Sequence, residues 1–299
     1  MTHERPGRRR GRRPRRDPAD SDGRQTRGRQ ARGRPREPSA IVPTRRTGGL
    51  SSGGRSRAEV IWIGGRRAVT EALRAGRARE VLTVRGSAAP PLAAIAGEAA
   101  GLGVRVENSP AEELDSLASD HQGVVARVTL PPELGEADLH EYQFGPGAVV
   151  VVLDGVTDPQ NLGAAARSAE AAGVAMLVSR ERRAAPVTAA AVRASAGALL
   201  HIPLARVTNL TRALRALQDR GFTVVGLDED ASHTIDDDPC PDGPVVVVVG
   251  AEGSGISRLV RETCDLLIAL PMRGRVQSLN ASASLAAALF AYVLPSRRD

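Results

Sequence analysis

The chain predicts an α/β fold, a parallel sheet with helices on both faces, and three observations predict it. Two runs, Ala148 to Leu153 and Val245 to Val249, are wholly apolar and rich in Val, as strands buried on both faces of a parallel sheet are. Around them, short β-branched runs alternate with segments whose apolar residues recur at helical spacing, the rhythm that βαβ units produce. The 299 residues include only two cysteines, Cys240 and Cys264, too few for a disulfide framework or a Cys-rich zinc site.

Residues 1–57 are Arg, Gly, Pro, Ser and Asp with few apolar side chains. Such a segment cannot bury enough surface to offset its ordering entropy and is expected to be a disordered basic tail. Residues 1–58 hold 18 arginines against five acids and the remainder 23 against 29, so the net charge of +7 originates in the tail. It reads as a solubilising segment or as a polyanion-binding arm that releases counterions from phosphate. A mitochondrial presequence fits less well, because the segment is neither acid-poor nor amphipathic.

A small α/β domain is expected over 58–130. It opens with a strand in EVIWIG, then a helix carrying Val69, Ala72 and Leu73, a strand at Val81 to Val84 and a helix from Leu92 to Ala100. A strand at Val104 to Val106, a helix from Ala111 to Leu117 and a strand from Gly123 to Val128 complete it. Residues 131–147, with their Pro, Gly and acids, read as a linker. A second domain, 148–295, starts with the strand Ala148 to Leu153 and the helix Leu162 to Ala172. Strand Val174 to Val178, helix Val187 to Ala198, strand His201 to Leu204, helix Leu210 to Arg220 and strand Thr223 to Leu227 follow. After strand Val245 to Val249 come helix Ser257 to Cys264, strand Leu266 to Leu270 and a last helix, Ala281 to Leu294.

Composition narrows the chemistry. All 41 basic residues are Arg, and without a lysine there is no Schiff base, Walker loop or kinase site. Six aromatic residues are too few for a base-stacking platform, which argues against RNA-recognition motifs and OB-folds. No His or Cys cluster suggests a metal. No apolar run reaches the ~20 residues of a membrane span, so no membrane association is expected and a cytoplasmic setting fits.

Ligands of open parallel sheets bind beyond the carboxyl ends of the strands. Three polar, Gly-rich loops follow predicted strands there. DGVTDPQNLGAAARSAEAAG begins at Asp154 and puts Asn161 at an expected helix cap, with Arg167 further along the helix. GAEGSGIS, Gly250 to Ser257, has three glycines around Glu252. LPMRGRVQSLNASASLAAAL begins at Leu270 and leads through Ser278 and Asn280 into the last helix. Taken singly, Asn161, Ser278 and Asn280 read as helix caps and Glu252 as a solvated loop acid. Together the three loops predict one crevice at neighbouring strand ends.

These three segments, in this order and at these distances, resemble the motifs of the SpoU-TrmH family of RNA ribose 2′-O-methyltransferases, within the SPOUT superfamily. GRRAVTEAL near Gly65 and HQGVVARV at His121 resemble the small substrate-binding domain of the branch that methylates a guanosine in 23S rRNA. The resemblance implies a C-terminal trefoil knot, a homodimer packed through it, and S-adenosylmethionine as cofactor. It implies cofactor contacts from Gly250, Leu270 and Leu279, and a catalytic set of Asn161, Arg167, Glu252, Ser278 and Asn280. The implied substrate is RNA, a 23S rRNA guanosine, with tRNA or another rRNA nucleotide as the alternative. A non-catalytic RNA-binding or ribosome assembly protein of the same fold is the reading from a different class. A guanidinium has no acceptor, so stabilising an alkoxide or gripping a phosphate suits Arg167 better than acting as a base.

Overall fold

The computed structural model describes residues 59–87, 89–275 and 278–297. The basic tail expected over 1–57 lies outside the described residues. In chain order the first elements are β1 (Val60–Gly64), α1 (Arg66–Arg74), β2 (Ala78–Val84), α2 (Pro90–Gly101), β3 (Arg105–Ser109), α3 (Ala111–Leu117) and β4 (Val124–Thr129). They form a four-stranded sheet, β1-β4-β2-β3, in which β4 runs antiparallel to β1 and β2 while β2 and β3 are parallel. Val69, Ala72 and Leu73, the residues at helical spacing, are the buried face of α1.

The second sheet contains β5 (Val149–Asp154), β6 (Met176–Arg180), β7 (Leu204–Val207), β8 (Thr223–Leu227), β9 (Val245–Gly250) and β10 (Leu266–Ile268). All its pairings are parallel, in the order β10-β8-β9-β5-β6-β7. Between strands run α5 (Pro159–Ala171), α6 (Ala189–Ala194), α7 (Leu210–Gln218) and α8 (Arg258–Arg261), and α9 (Ala281–Ala288) comes last. The alternation of side chains along β5 shows why its sequence is apolar throughout. Val149, Val151 and Leu153 join a core with Leu162 and Ala165 of α5 and Leu285 of α9, while Val150 and Val152 pack with Leu210 and Leu214 of α7. Each such buried side chain contributes about 1.5–3 kcal/mol.

Several elements differ from expectation, each for a local reason. The helix expected over Val187 to Ala198 breaks because Ala196 (φ 51°) and Gly197 (φ 94°) turn left-handed, leaving α6 and a 3₁₀ turn, Ala198–Leu200. The last helix is α-helical only to Ala288 and continues as a π turn, Leu289–Val293. The helix expected over Ser257 to Cys264 is a single turn, α8. Residues 131–147, expected as a linker, contain a helix, α4 (Glu136–Glu141), whose Leu139 is buried.

This connecting segment is fastened to the second sheet. The Leu134 N–H donates to the Leu204 carbonyl (2.9 Å) and the Arg206 N–H donates to that of Leu134 (2.7 Å). From the end of α7, Arg220 donates to the carbonyls of Leu139 (2.9 Å) and Tyr142 (2.5 Å), with its guanidinium 4.8 Å from the Phe144 ring centroid. Helices and loops around the two sheets also meet directly. Arg193 of α6 donates to the Ser119 carbonyl (2.7 Å), and His201 lies 3.2 Å from Glu71 of α1. A side chain at Gly197 would put its Cβ 2.4 Å from the Glu71 Cβ, so only glycine allows α1 this close.

Candidate active site

The carboxyl ends of β5 and β9 lie side by side, with Asp154 opposite Gly250 in register, so the first two motif loops leave the sheet together. The third does not. β8 intervenes between β9 and β10, putting β10 at the sheet edge, so the expectation of three neighbouring strand ends holds for two. The third loop nevertheless returns, because α9 packs against α5 and β9.

Asn161 is not the cap of α5. Asp158 is, its side chain accepting from the Gln160 N–H (2.9 Å) with Pro159 at the first helical position. Asn161, in the first turn, is thereby free for another partner. Asn280 does cap its helix: its Oδ1 accepts from the Ser282 N–H (2.9 Å) and hydroxyl (2.6 Å). Those bonds turn its Nδ2 outward, where it donates to Asn161 Oδ1 (3.0 Å) and Glu252 Oε2 (3.2 Å). One amide therefore ties all three motifs. Asn161 keeps its Nδ2 and Glu252 its Oε1 without a protein partner among the described residues, one donor and one acceptor beside each other.

The Gly250 loop is closed by its own backbone. Ala251 and Gly255 exchange two backbone bonds (3.1 and 2.9 Å), and a Cβ on Gly250 would fall 2.0 Å from the Gly255 carbonyl carbon. Gly250 is thus required by its own loop, where the sequence suggested a close ligand. At its far end the Ser257 N–H donates to Asp154 Oδ2 (2.8 Å), and Arg180 Nη2 donates to Asp154 Oδ1 (3.2 Å). The Asp154 side chain is 3% exposed. No sequence pattern singles it out, since one acid at a strand end has none; its burial is what requires these partners. Burial, then the carboxylates of Asp265, Asp228 and Asp154, push the Cys264 thiol up to about 12, away from the thiolate form.

Ser278 is exposed, and Leu270 is half-buried just beyond β10. Leu279 and Met272 leave apolar side chains 43% and 41% exposed along the third loop. Arg167 stands apart from the Asn280 cluster. Six residues beyond Asn161, it lies about 9 Å along the helix and about 120° around it. It is exposed and lines a groove of about 950 Å³ between α1, α2 and α5.

This parallel fold, with three motif loops tied at one amide, matches a known family. Residues 148–292 match the model of the SpoU rRNA methylase family, and residues 62–134 match the model for RNA 2′-O ribose methyltransferase substrate binding. The chain is 45% identical over 192 residues to the 23S rRNA (guanosine-2′-O-)-methyltransferase RlmB of Photobacterium profundum, covering 63% of this chain and 78% of that one. It therefore belongs to the SpoU rRNA methylase family. It is also 45% identical over 225 residues to a tRNA/rRNA methyltransferase of Mycobacterium avium, itself uncharacterized, covering 73% and 72% of the two chains. Among solved structures it resembles the SpoU methyltransferase AviRb from Streptomyces viridochromogenes, with a TM-score of 0.66, 27% identity and coverage of 80% of this chain and 91% of that one. The AviRb complex with AdoMet matches at 25% identity with the same TM-score.

Proposed function

We propose that this chain transfers a methyl group from S-adenosylmethionine to a ribose 2′-hydroxyl in RNA, at a guanosine of 23S rRNA. The observation that carries the reading is the Asn161–Asn280–Glu252 constellation, joined from three distant motifs in a chain so similar to a guanosine-2′-O-methyltransferase. The cofactor suits the residues present. Exposed Leu279 and Met272 offer apolar cover for an aromatic base, and Leu270 and the Gly250 loop have backbone groups to offer its polar edge.

S-adenosylmethionine supplies, when bound, a methyl group on a sulfonium. The chain aligns the ribose with it and helps the hydroxyl lose its proton. Asn161 Nδ2 and Glu252 Oε1 orient the nucleotide as donor and acceptor. Asn280 holds both in place and Ser278 adds a hydroxyl. Arg167 grips a phosphate near the target ribose and so holds the 2′-hydroxyl in line; its acceptor-free guanidinium does not itself take the proton.

The finer architecture belongs to the same proposal. Residues 58–130 form an RNA substrate-binding domain, 131–147 a connection and 148–295 the methyltransferase domain, a division supported by the spans of the two family models. A trefoil knot over the third motif is supported by the chain's path, which leaves the sheet at edge strand β10 and returns to pack α9 on β9. Exposed Phe290 (48%) and Leu279 (43%) favour a homodimer through this segment. Two free cysteines, and no described helix long and apolar enough to cross a membrane, fit a cytoplasmic enzyme. The basic tail adds non-specific RNA affinity.

Mapping ribose methylation in rRNA and tRNA from cells with and without the gene tests the reading. A single 23S guanosine losing its methyl group is expected. Loss confined to tRNA would transfer the same chemistry to the substrate class that the M. avium relative's name includes. Unchanged methylation everywhere would leave a non-catalytic RNA-binding protein.

A further inference from the structure

The groove beside α5 is lined by charges of both signs, and its character appears once its internal pairs are removed. Glu71 is held by Arg74 (2.8 Å) and His201 (3.2 Å), and Glu98 lies 3.8 Å from the same Arg74. Arg66, Arg67 and Arg167 also line the groove, exposed and with no carboxylate partner among the described residues. The Arg66 side chain makes only a 3.4 Å bond to the Gln122 carbonyl. Counted whole, the lining holds four arginines against three glutamates, Glu71, Glu98 and Glu170, with Glu170 alone among the acids unpaired. Of the three unpaired arginines, two come from α1 of the small sheet and the third from α5, the helix that also carries Asn161.

A surplus of unpaired guanidinium groups facing one another across a groove of about 950 Å³ fits a chain of phosphates. Arg presents a planar fork that holds phosphate through two bonds. We infer that this groove carries the sugar-phosphate backbone of the substrate RNA, Arg66 and Arg67 holding phosphates that flank the one Arg167 grips. The inference rests on the proposed RNA substrate and adds which residues of the small sheet hold it and along which path. The small sheet thereby acts as one wall of the substrate channel, with α5 as the other wall and the link to Asn161.

The test uses the full chain with both arginines reversed, R66E/R67E, against Arg215→Glu as a control with an exposed charge on α7, across the sheet from α5. With a 23S rRNA fragment, KM for RNA should rise on the order of tenfold or more, and the salt slope of RNA affinity should fall by about 1.4, or 0.7 per phosphate lost. Turnover at saturating RNA and S-adenosylmethionine affinity should stay within about twofold of wild type, because neither side chain meets the reacting atoms. Both positions are exposed, and the charge-neutral R66Q/R67Q, which removes the same two phosphate contacts, should show the same fall in slope with a smaller rise in KM, which guards against a folding defect. KM and slope equal to those of the Arg215→Glu control would overturn the groove. A wild-type chain that methylates no RNA, yet loses RNA affinity in R66E/R67E, would keep the groove and overturn the proposed activity instead.

Discussion

Asn280 and Arg167 lie on helices that pack against each other, and they are held in opposite ways. Every polar atom of the Asn280 side chain is committed, to its own helix through Oδ1 and to two other motifs through Nδ2. Arg167 has no partner among the described residues and stands in a groove with two further unpaired arginines, Arg66 and Arg67, and the single unpaired acid Glu170. Groups already bonded are preorganised and lose little on binding, which suits alignment of a reacting atom. Unpaired charges on long stems adapt to a flexible polyanion, so whatever they position is fixed only once the RNA is bound. The two regions should therefore fail differently when altered.

The largest effect is expected at Gly250, where any side chain meets the loop's own backbone. Gly250→Val should destabilise the unit by about 3 kcal/mol, the upper range for overpacking, lowering Tm by roughly 6 to 12 °C, with loss of S-adenosylmethionine binding in calorimetry. A folded variant of wild-type Tm would contradict the loop geometry. Asn280→Asp comes next and isolates chemistry from stability. Aspartate keeps the cap oxygen but replaces the donor with a second acceptor facing Glu252, so Tm should hold within a few degrees while single-turnover methylation drops on the order of 100-fold. Wild-type rate in that variant would show that the amide only caps a helix.

Arg167→Ala should leave Tm and cofactor affinity intact and lower single-turnover methylation, on the order of 100-fold if a phosphate must be held for the reaction. Arg167→Lys then discriminates: failure of Lys as well as Ala means two-pronged positioning, and rescue means simple charge stabilisation. The smallest effect lies at the connecting helix. The Arg212 guanidinium, with help from Thr208, holds the Glu136 carboxyl below its ordinary value of 4.5. A lowered folded-state value stabilises above the unfolded one, so this support is present above about pH 4.5 and is lost as pH falls through the folded value. Glu136→Gln should flatten that acid limb of a thermal-melt series slightly and leave methylation at neutral pH unchanged.

Much of this was legible because local signals and tertiary environment agreed. The limits of α3 and β8 match the expected Ala111 to Leu117 and Thr223 to Leu227, where a Pro before the helix and polar turns around the strand mark the ends. The apolar runs of β5 and β9 correctly announced a sheet covered on both faces. Strand order was not legible, since nothing local tells β10 to pair with β8 at the edge. The π turn at Leu289–Val293 was hidden as well, because its residues suit an ordinary helix equally. At the site, Asn161, Glu252 and Asn280 were identified as one group and the structure joins them. Arg167 was expected in the same crevice, but helix phase turns it toward the groove, and Asp154 escaped notice because a single acid at a strand end carries no pattern.

The fastening of the connecting segment has a mechanical meaning. Leu130 still pairs with Glu59 of the small sheet, and Leu134 already pairs with Leu204 of the large one. Only three residues, Pro131 to Glu133, join the two anchor points, a leash of at most about 14 Å when taut. With Arg220 bolting the chain beyond it, the slack cannot be lengthened by drawing on the segment downstream. The small sheet, seated on α6 and the following turn, therefore cannot drift away to sample solution. Whatever it holds is delivered to the same edge of the large sheet every time, at a local concentration set by the shortness of that leash rather than by affinity.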